Sequence, residues 1–179
     1  MKYQTNLNGI KSSPPNDVFF TPEPLAIELI AAVDIEPSDS ILDPFKGEGA
    51  FFGNFPPCAF KDWAEITEGR DFFSESRRFD WLISNPPFSL MSKVLLKTCA
   101  LSIKGFAYII PAHSLSYRRI KECESFGFYL SKTIYFQNPS AWGMGFQMMF
   151  AIFTKAKPEN IYCTGEASPL VQSMLEVFD

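Results

Sequence analysis

Asn85-Pro86-Pro87-Phe88 closes the apolar run Phe79–Ser84, and so defines both a buried strand and the place where it must end. Successive prolines lock φ and supply no N–H, so neither a strand ladder nor a helix continues through them. The Asn85 side-chain oxygen and the Pro86 carbonyl become two hydrogen-bond acceptors held in place. Phe88 offers a ring face on which a planar group can stack. Two acceptors and a stacking face suit a conjugated NH2 group. Such an amine is a poor nucleophile because its lone pair is delocalised. Holding both of its hydrogens in a dry pocket favours a more tetrahedral nitrogen, whose lone pair can face an electrophile about 3 Å away. Methyl transfer fits that geometry.

A second punctuated segment lies upstream. Ser40-Ile41-Leu42 reads as a short buried strand that delivers Asp43 to its carboxyl end, the end at which open α/β sheets bind ligands. The turn Asp43-Pro44-Phe45-Lys46-Gly47-Glu48-Gly49 follows, where Gly47 and Gly49 let backbone approach a ligand, and Ala50-Phe51-Phe52 opens a short helix. Taken in this order, the two segments resemble the DPxxGxG and NPPF motifs of the S-adenosylmethionine (SAM) dependent amino-methyltransferases, especially the DNA adenine-N6 methyltransferases. The likeness extends from Asp17 to Lys155. NPPF is shared by enzymes acting on DNA, RNA and protein glutamine, so it points to an amine without choosing the molecule that carries it.

Between and beyond these segments the chain alternates strand and helix patterns. Residues 1–16 are polar, contain Ser12-Ser13-Pro14-Pro15 and lack periodicity, which reads as an N-terminal arm. Residues 17–179 read as one methyltransferase domain with no separate target-recognition domain. Thr21 is a candidate N-cap with Pro22 at the first helical position, and Leu25, Ile27, Leu29, Ile30 and Val33 form the apolar side of a helix reaching Val33. Lys61–Ile66 is a second strand, Phe79–Ser84 a third, and Ser89–Ser102 a helix. Strand Gly105–Ile110 and helix Leu115–Ser125 come next, then strands Phe128–Phe136 and Phe146–Thr154 as an antiparallel hairpin around Asn138–Gly145. Pro169–Phe178 suggests a C-terminal helix. The alternation argues for a doubly wound Rossmann-like α/β sheet with helices on both faces. The resemblance implies a seven-stranded version with a reversed final hairpin. From Glu65 to Asp71, however, there is no room for the usual helix and third strand, which predicts an abbreviated mixed sheet of about six strands lacking one edge.

Glu65 stands about 22 residues beyond Asp43, at the end of the second strand, where a carboxylate can accept hydrogen bonds from both hydroxyls of a ribose. The resemblance assigns the other cofactor contacts. Asp43, Pro44, Phe45, Gly47 and Gly49 would embrace the methionine part of SAM, with Asp43 near its positively charged amino end. Thr21 and Pro22 would meet its carboxylate, with a plain helix cap as the other reading of that pair. Asp71 and Phe72 resemble an acidic-aromatic pair that contacts the cofactor adenine, here carried on a loop. Asn85, Pro86, Pro87 and Phe88 form the catalytic clamp. Tyr135-Phe136-Gln137-Asn138 and Ser140-Ala141-Trp142-Gly143 resemble a later region whose aromatics pack against an extruded base, or else pack in the core. The order FTP, DPxxGxG, NPPF resembles the γ arrangement of DNA amino-methyltransferases, which implies a nucleic-acid partner, DNA first and RNA as the alternative.

Composition limits the remaining classes. The chain has 179 residues, 46% hydrophobic and 20% charged, which suits one ordinary globular domain. Its formal net charge of −4 is awkward for a protein that must grip a polyanion unaided, so sequence specificity is either minimal or supplied by a protein partner with its own recognition surface. Basic groups cluster only locally, at Arg77-Arg78, at Arg118-Arg119-Lys121, and at Lys93, Lys97 and Lys104. Cys58, Cys99, Cys123 and Cys163 form no CxxC pair, and His113 is the sole histidine, so neither a zinc site, nor a disulfide framework, nor a His-rich metal centre is expected. No segment has the pattern of a signal peptide or bilayer span, and a cytoplasmic location is expected.

Overall fold

The structure, a computed structural model, describes residues 19–158. The N-terminal arm, Cys163 and the expected helix Pro169–Phe178 lie outside the described residues. The order of elements is α1 (Glu23–Ile30), β1 (Ser40–Asp43), α2 (Ala50–Asn54), β2 (Phe60–Trp63), β3 (Phe79–Ser84), α3 (Met91–Leu101), β4 (Ser102–Pro111), α4 (Tyr117–Ser125), β5 (Tyr129–Tyr135) and β6 (Met148–Thr154).

Among the described residues the strands form one six-stranded sheet in the order β2-β1-β3-β4-β6-β5. β1 pairs in parallel with β2 and β3, and β3 with β4, whereas β6 runs antiparallel between β4 and β5. This is the expected abbreviated sheet with its reversed hairpin. The missing strand is the one that would have flanked β2. Between β2 and β3 the chain makes only two single turns of 3₁₀ helix, Ile66–Glu68 and Phe72–Ser74, with an isolated antiparallel bridge from Glu65 to Arg70.

Several boundaries differ from the sequence expectation. β2 stops at Trp63, so Glu65 sits in the turn beyond the strand rather than at its end. α1 stops at Ile30, and no side chain caps it because its N-cap position falls to Pro22, which has no polar side-chain atom, with Thr21 one residue further out. Only Ala26, Leu29 and Ile30 of α1 are buried, while Ile27 faces out. α4 begins at Tyr117, capped by the Ser116 hydroxyl, which accepts from the Arg119 N–H. His113 belongs to the separate turn Ala112–Ser114. α3 is preceded by a turn at Phe88–Leu90, the continuation of the Pro-Pro stop.

Each face of the sheet carries a core. On one, Val94, Leu95 and Cys99 of α3 and Ile120 and Cys123 of α4 pack on Leu82, Phe106, Tyr108 and Phe153. On the other, Ala26 and Leu29 of α1 and Phe51 of α2 cover Ile41, Trp81, Ile83, Ile109 and Phe150. Alternation of side chains along β3 and β4 sends successive residues to opposite cores, the pattern of a sheet covered on both sides. The thiols of Cys58, Cys99 and Cys123 are free. At Gly105 the backbone of β4 passes so close to Trp81 and to the Phe153 carbonyl that a side chain has no place. Trp81 is itself pinned, its indole N–H donating to Asp39 Oδ2 at 3.1 Å while Lys104 pairs with the same carboxylate at 2.6 Å. No helix among the described residues is long and apolar enough to cross a membrane.

Candidate active site

The carboxyl ends of β1 and β3 meet at one buried carboxylate. Asp43 is fully buried, and its oxygens accept the Phe45 N–H at 3.3 Å, the Phe52 N–H at 3.2 Å and the Ser84 hydroxyl at 2.6 Å. The same hydroxyl lies 3.2 Å from the Phe45 carbonyl. One acid therefore folds the Gly-rich turn over β1, anchors the first turn of α2 and joins both to the last residue of β3. Gly47 and Gly49 adopt φ of 52° and 90°, which L-side chains rarely tolerate, and a Cβ on Gly47 would meet the Phe20 ring at 3.3 Å.

Burial pushes the Asp43 carboxyl up to about 7, against the hydrogen bonds from Ser84, Phe45 and Phe52 that favour its charged form. A folded-state value above the unfolded one means the native protein holds a proton that the unfolded chain releases. The contribution to stability is complete below about pH 4 and is lost as pH rises toward about 7. Relative to Asp43→Asn, wild-type protein should lose stability across that interval. Urea unfolding of both proteins at pH 4.5 and 7.5 checks this, and an identical pH dependence would contradict it.

Beyond β2, Glu65 reaches back to the turn. Its Oε2 accepts the Gly47 N–H at 2.9 Å, and its Oε1 accepts the Thr67 N–H at 3.1 Å and the Thr67 hydroxyl at 2.8 Å. Lys46 pairs with Glu68 and lies 3.9 Å over the Trp63 ring, closing the flank. A cavity of about 380 Å³ opens between these groups and the end of β3. Phe45, Gly47, Ala50 and Phe51 come to its wall from the turn and α2, and Glu65, Ile66 and Thr67 from the segment after β2. Phe19, Phe20 and Thr21 form a strap on its wall, and Asn85 and Pro87 complete it.

The Asn85 amide is oriented by that strap. Its Nδ2 donates to the Phe19 carbonyl at 2.7 Å and lies 3.3 Å from the Thr21 hydroxyl. A carbonyl can only accept, so the NH2 end must face the strap and Oδ1 must face away from it. Oδ1 is screened from solvent and has no hydrogen-bond partner, one of only two such side-chain atoms among the described residues. Phe88 stacks on Phe19, with ring centroids 5.6 Å apart and planes at 15°. Trp142 stands 6.2 Å from Phe19 at 58°, and its indole N–H donates to the Phe20 carbonyl at 2.8 Å.

Of the residues singled out from the sequence, Thr21, Phe45, Gly47, Glu65, Asn85 and Pro87 line the cavity. Pro22, Pro44, Gly49 and Pro86 sit beside it as parts of the same turns, and Phe88 stands behind Phe19. Asp43 lies below the wall, its carboxylate taken up by internal donors rather than directed at the cavity. Asp71 caps the turn Phe72–Ser74 by accepting the Phe73 N–H at 2.9 Å. Phe72 is only 2% exposed and packs edge-on beneath Phe45 at 5.1 Å. With no third strand to carry it, the loop turns this ring into the core. Ile66, 40% exposed, presents apolar surface to the cavity instead. Sequence reading did not single out Phe19, Lys46, Glu48, Ala50, Phe51, Ile66 or Thr67 as site residues. Each lies within two residues of one that was singled out, and that proximity was the only signal for them.

No protein-family model matches the chain, and no curated protein sequence matches it. Solved structures do. A proposed class I SAM-dependent methyltransferase from Listeria monocytogenes superposes with a TM-score of 0.61 at 12% identity, covering 95% of this chain and 72% of that one. A proposed RNA methyltransferase from Pyrococcus horikoshii gives 0.56 at 18% identity, covering 75% and 83%. A modification subunit of a proposed type I restriction enzyme from Vibrio vulnificus gives 0.57 at 14% identity, and there the match covers 80% of this chain but 46% of the longer subunit. The fold is the Rossmann-like class I methyltransferase fold.

Proposed function

We propose that the chain transfers a methyl group from SAM to a conjugated amino group, with adenine N6 in DNA as the leading acceptor. The Asn85 amide oxygen carries this reading: an oriented, water-screened acceptor without a partner, at the end of β3 and on the cavity wall. An unsatisfied buried acceptor costs about 1–3 kcal/mol, a cost removed when an NH2 group donates to it. The Pro86 carbonyl is the second acceptor expected from the motif, and Phe88 the stacking face. Together they hold both amine hydrogens and draw its lone pair out of conjugation. A base in duplex DNA would have to leave the stack to reach them.

The residues around the cavity fit the cofactor that the fold class uses. Its volume of about 380 Å³ lies in the range of small-molecule sites. Glu65 offers a carboxylate at the wall for the ribose hydroxyls, Ile66 an apolar face, and the turn at Phe45–Gly49 a backbone cradle for the methionine part. Thr21 adjoins that cradle, and Asp71 is assigned to the cofactor adenine. When bound, SAM supplies an electrophilic methyl on a positively charged sulfur. Glu65→Ala should weaken SAM binding by about 1.5–3 kcal/mol, the range for a hydrogen bond to a charged group. Calorimetry measures it, and undiminished affinity in a folded variant would remove Glu65 from the site.

The acceptor is tested by incubating the protein and SAM with DNA, RNA and protein pools, then digesting each and measuring methylated products by mass spectrometry. N6-methyladenine in DNA with little sequence preference is the expected result. The acidic chain should bind DNA weakly and lose it as salt rises, because its exposed basic side chains are partly neutralised, Arg118 by Glu122 at 2.9 Å and Lys121 by Glu124 at 2.6 Å. A partner bearing basic surface would then raise the rate. Methylation confined to RNA adenine or a glutamine amide would move the acceptor and keep the clamp. No product in any pool would leave a non-catalytic SAM-binding or assembly protein.

A further inference from the structure

The strap on the cavity wall does two separable things. Its backbone is tied down at both ends of the aromatic slot: the Phe19 carbonyl accepts from Asn85 at 2.7 Å, and the Phe20 carbonyl accepts from Trp142 at 2.8 Å. Its Phe19 side chain has a different set of contacts. The ring lies nearly parallel to Phe88 at 5.6 Å and tilted against Trp142 at 6.2 Å. Phe88 is the ring on which the proposed acceptor would stack, and Phe19 covers it. A phenyl ring supplies the stacking but has no N–H to offer, so the slot is filled while the Asn85 oxygen stays unsatisfied.

We infer that Phe19 is an internal surrogate for the acceptor ring, a gate that swings out of the Phe88–Trp142 slot when a planar amine-bearing ring enters, while the strap backbone stays in place to orient Asn85. This inference rests on the methyl-transfer reading and narrows its acceptor class. An entering heteroaromatic ring restores the stacking that Phe19 gives up and adds the missing hydrogen bonds. A glutamine amide adds the hydrogen bonds but cannot replace ring-on-ring contact, so the gate discriminates against it. Phe19 is itself only partly buried, and the gate opens by rotation of its side chain.

The test uses the full chain and two probes, free adenine as the planar amine and propionamide as the side-chain amide, titrated with and without saturating S-adenosylhomocysteine. Phe19→Ala should bind adenine about 3- to 10-fold more tightly than wild type, the range of one aromatic pair. The gain should vanish in Phe19→Ala/Phe88→Ala, which localises adenine to the slot, and propionamide affinity should not change. The Trp142 indole N–H should remain slow to exchange with adenine bound, because its Phe20 partner stays. If Phe19→Ala does not fold, Phe19→Leu, which keeps apolar bulk without a flat ring, should shift adenine binding in the same direction. Equal or weaker adenine binding in the single variant, or a gain that persists without Phe88, would overturn the gate. Whether S-adenosylhomocysteine binds at all is read in the same titrations and bears on the cofactor reading alone.

Discussion

Asn85→Ala is expected to lower turnover by about 10²- to 10³-fold, the scale seen when one preorganised polar group is removed from a reacting centre. SAM affinity should be nearly unchanged, because Asn85 is assigned to the acceptor amine and the cofactor contacts are assigned to the turn and to Glu65. Single-turnover methyl transfer with labelled SAM, paired with calorimetry, separates the two quantities. Asn85→Asp should fare no better. Its carboxylate would keep an oxygen toward the acceptor but would set the other against the Phe19 carbonyl, which now receives an N–H at 2.7 Å. Thr21→Val bears on the same orientation and should lower the rate, while Thr21→Ser should restore it. Wild-type rates in Asn85→Ala would discard the clamp.

The largest stability effect is expected at Gly105, far from any chemistry. A Cβ built there stands 2.4 Å from the Phe153 carbonyl oxygen and 2.6 Å from the Trp81 ring, both inside contact distance. Neither neighbour can yield cheaply. Phe153 belongs to β6, which is paired with β4 along the length of the sheet, and Trp81 is tied through its indole to Asp39, the partner of Lys104. Gly105→Ala should therefore destabilise the protein by at least the 1–3 kcal/mol typical of overpacking. A fall in the urea midpoint at unchanged slope would record it. A change under about 0.5 kcal/mol would mean that β4 and β6 part more easily than their close approach implies.

How far the sequence reaches is visible in particular residues. β3 was legible to both ends because Arg77-Arg78 precede its apolar run and Asn-Pro-Pro follows it, and both signals are local. The missing edge strand was legible as a shortage of residues between Glu65 and Asp71. Of the two readings of Thr21, the helix cap fails because the cap position falls to Pro22, and the Thr21 hydroxyl lies 3.3 Å from the Asn85 amide, a partner remote in sequence. The end of β2 was misplaced because Glu65 pairs with Arg70 across a turn instead of extending the ladder. Asp43 was read as facing a ligand, whereas its donors arrive from Phe52 and Ser84 through tertiary folding. The inward course of Phe72 depends on where Phe45 lies, which no local pattern encodes. Motifs thus marked which turns build the site, and tertiary contacts decided which way each side chain points.

Ending the sheet at β2 has a consequence for how the molecule behaves in a crowd of its own copies. An outermost strand is a template on which another chain can align. This one is only four residues long, Phe60 to Trp63, and half of it is charged. Asp62 is fixed between Arg70 at 2.6 Å and Arg77 at 2.7 Å, and Lys61 leans back to the Phe52 carbonyl at 3.2 Å. Brevity and bound charge thereby insulate a border that larger sheets of this class cover with a further strand. Shortening the fold is thus offset at its open edge by a few ion pairs.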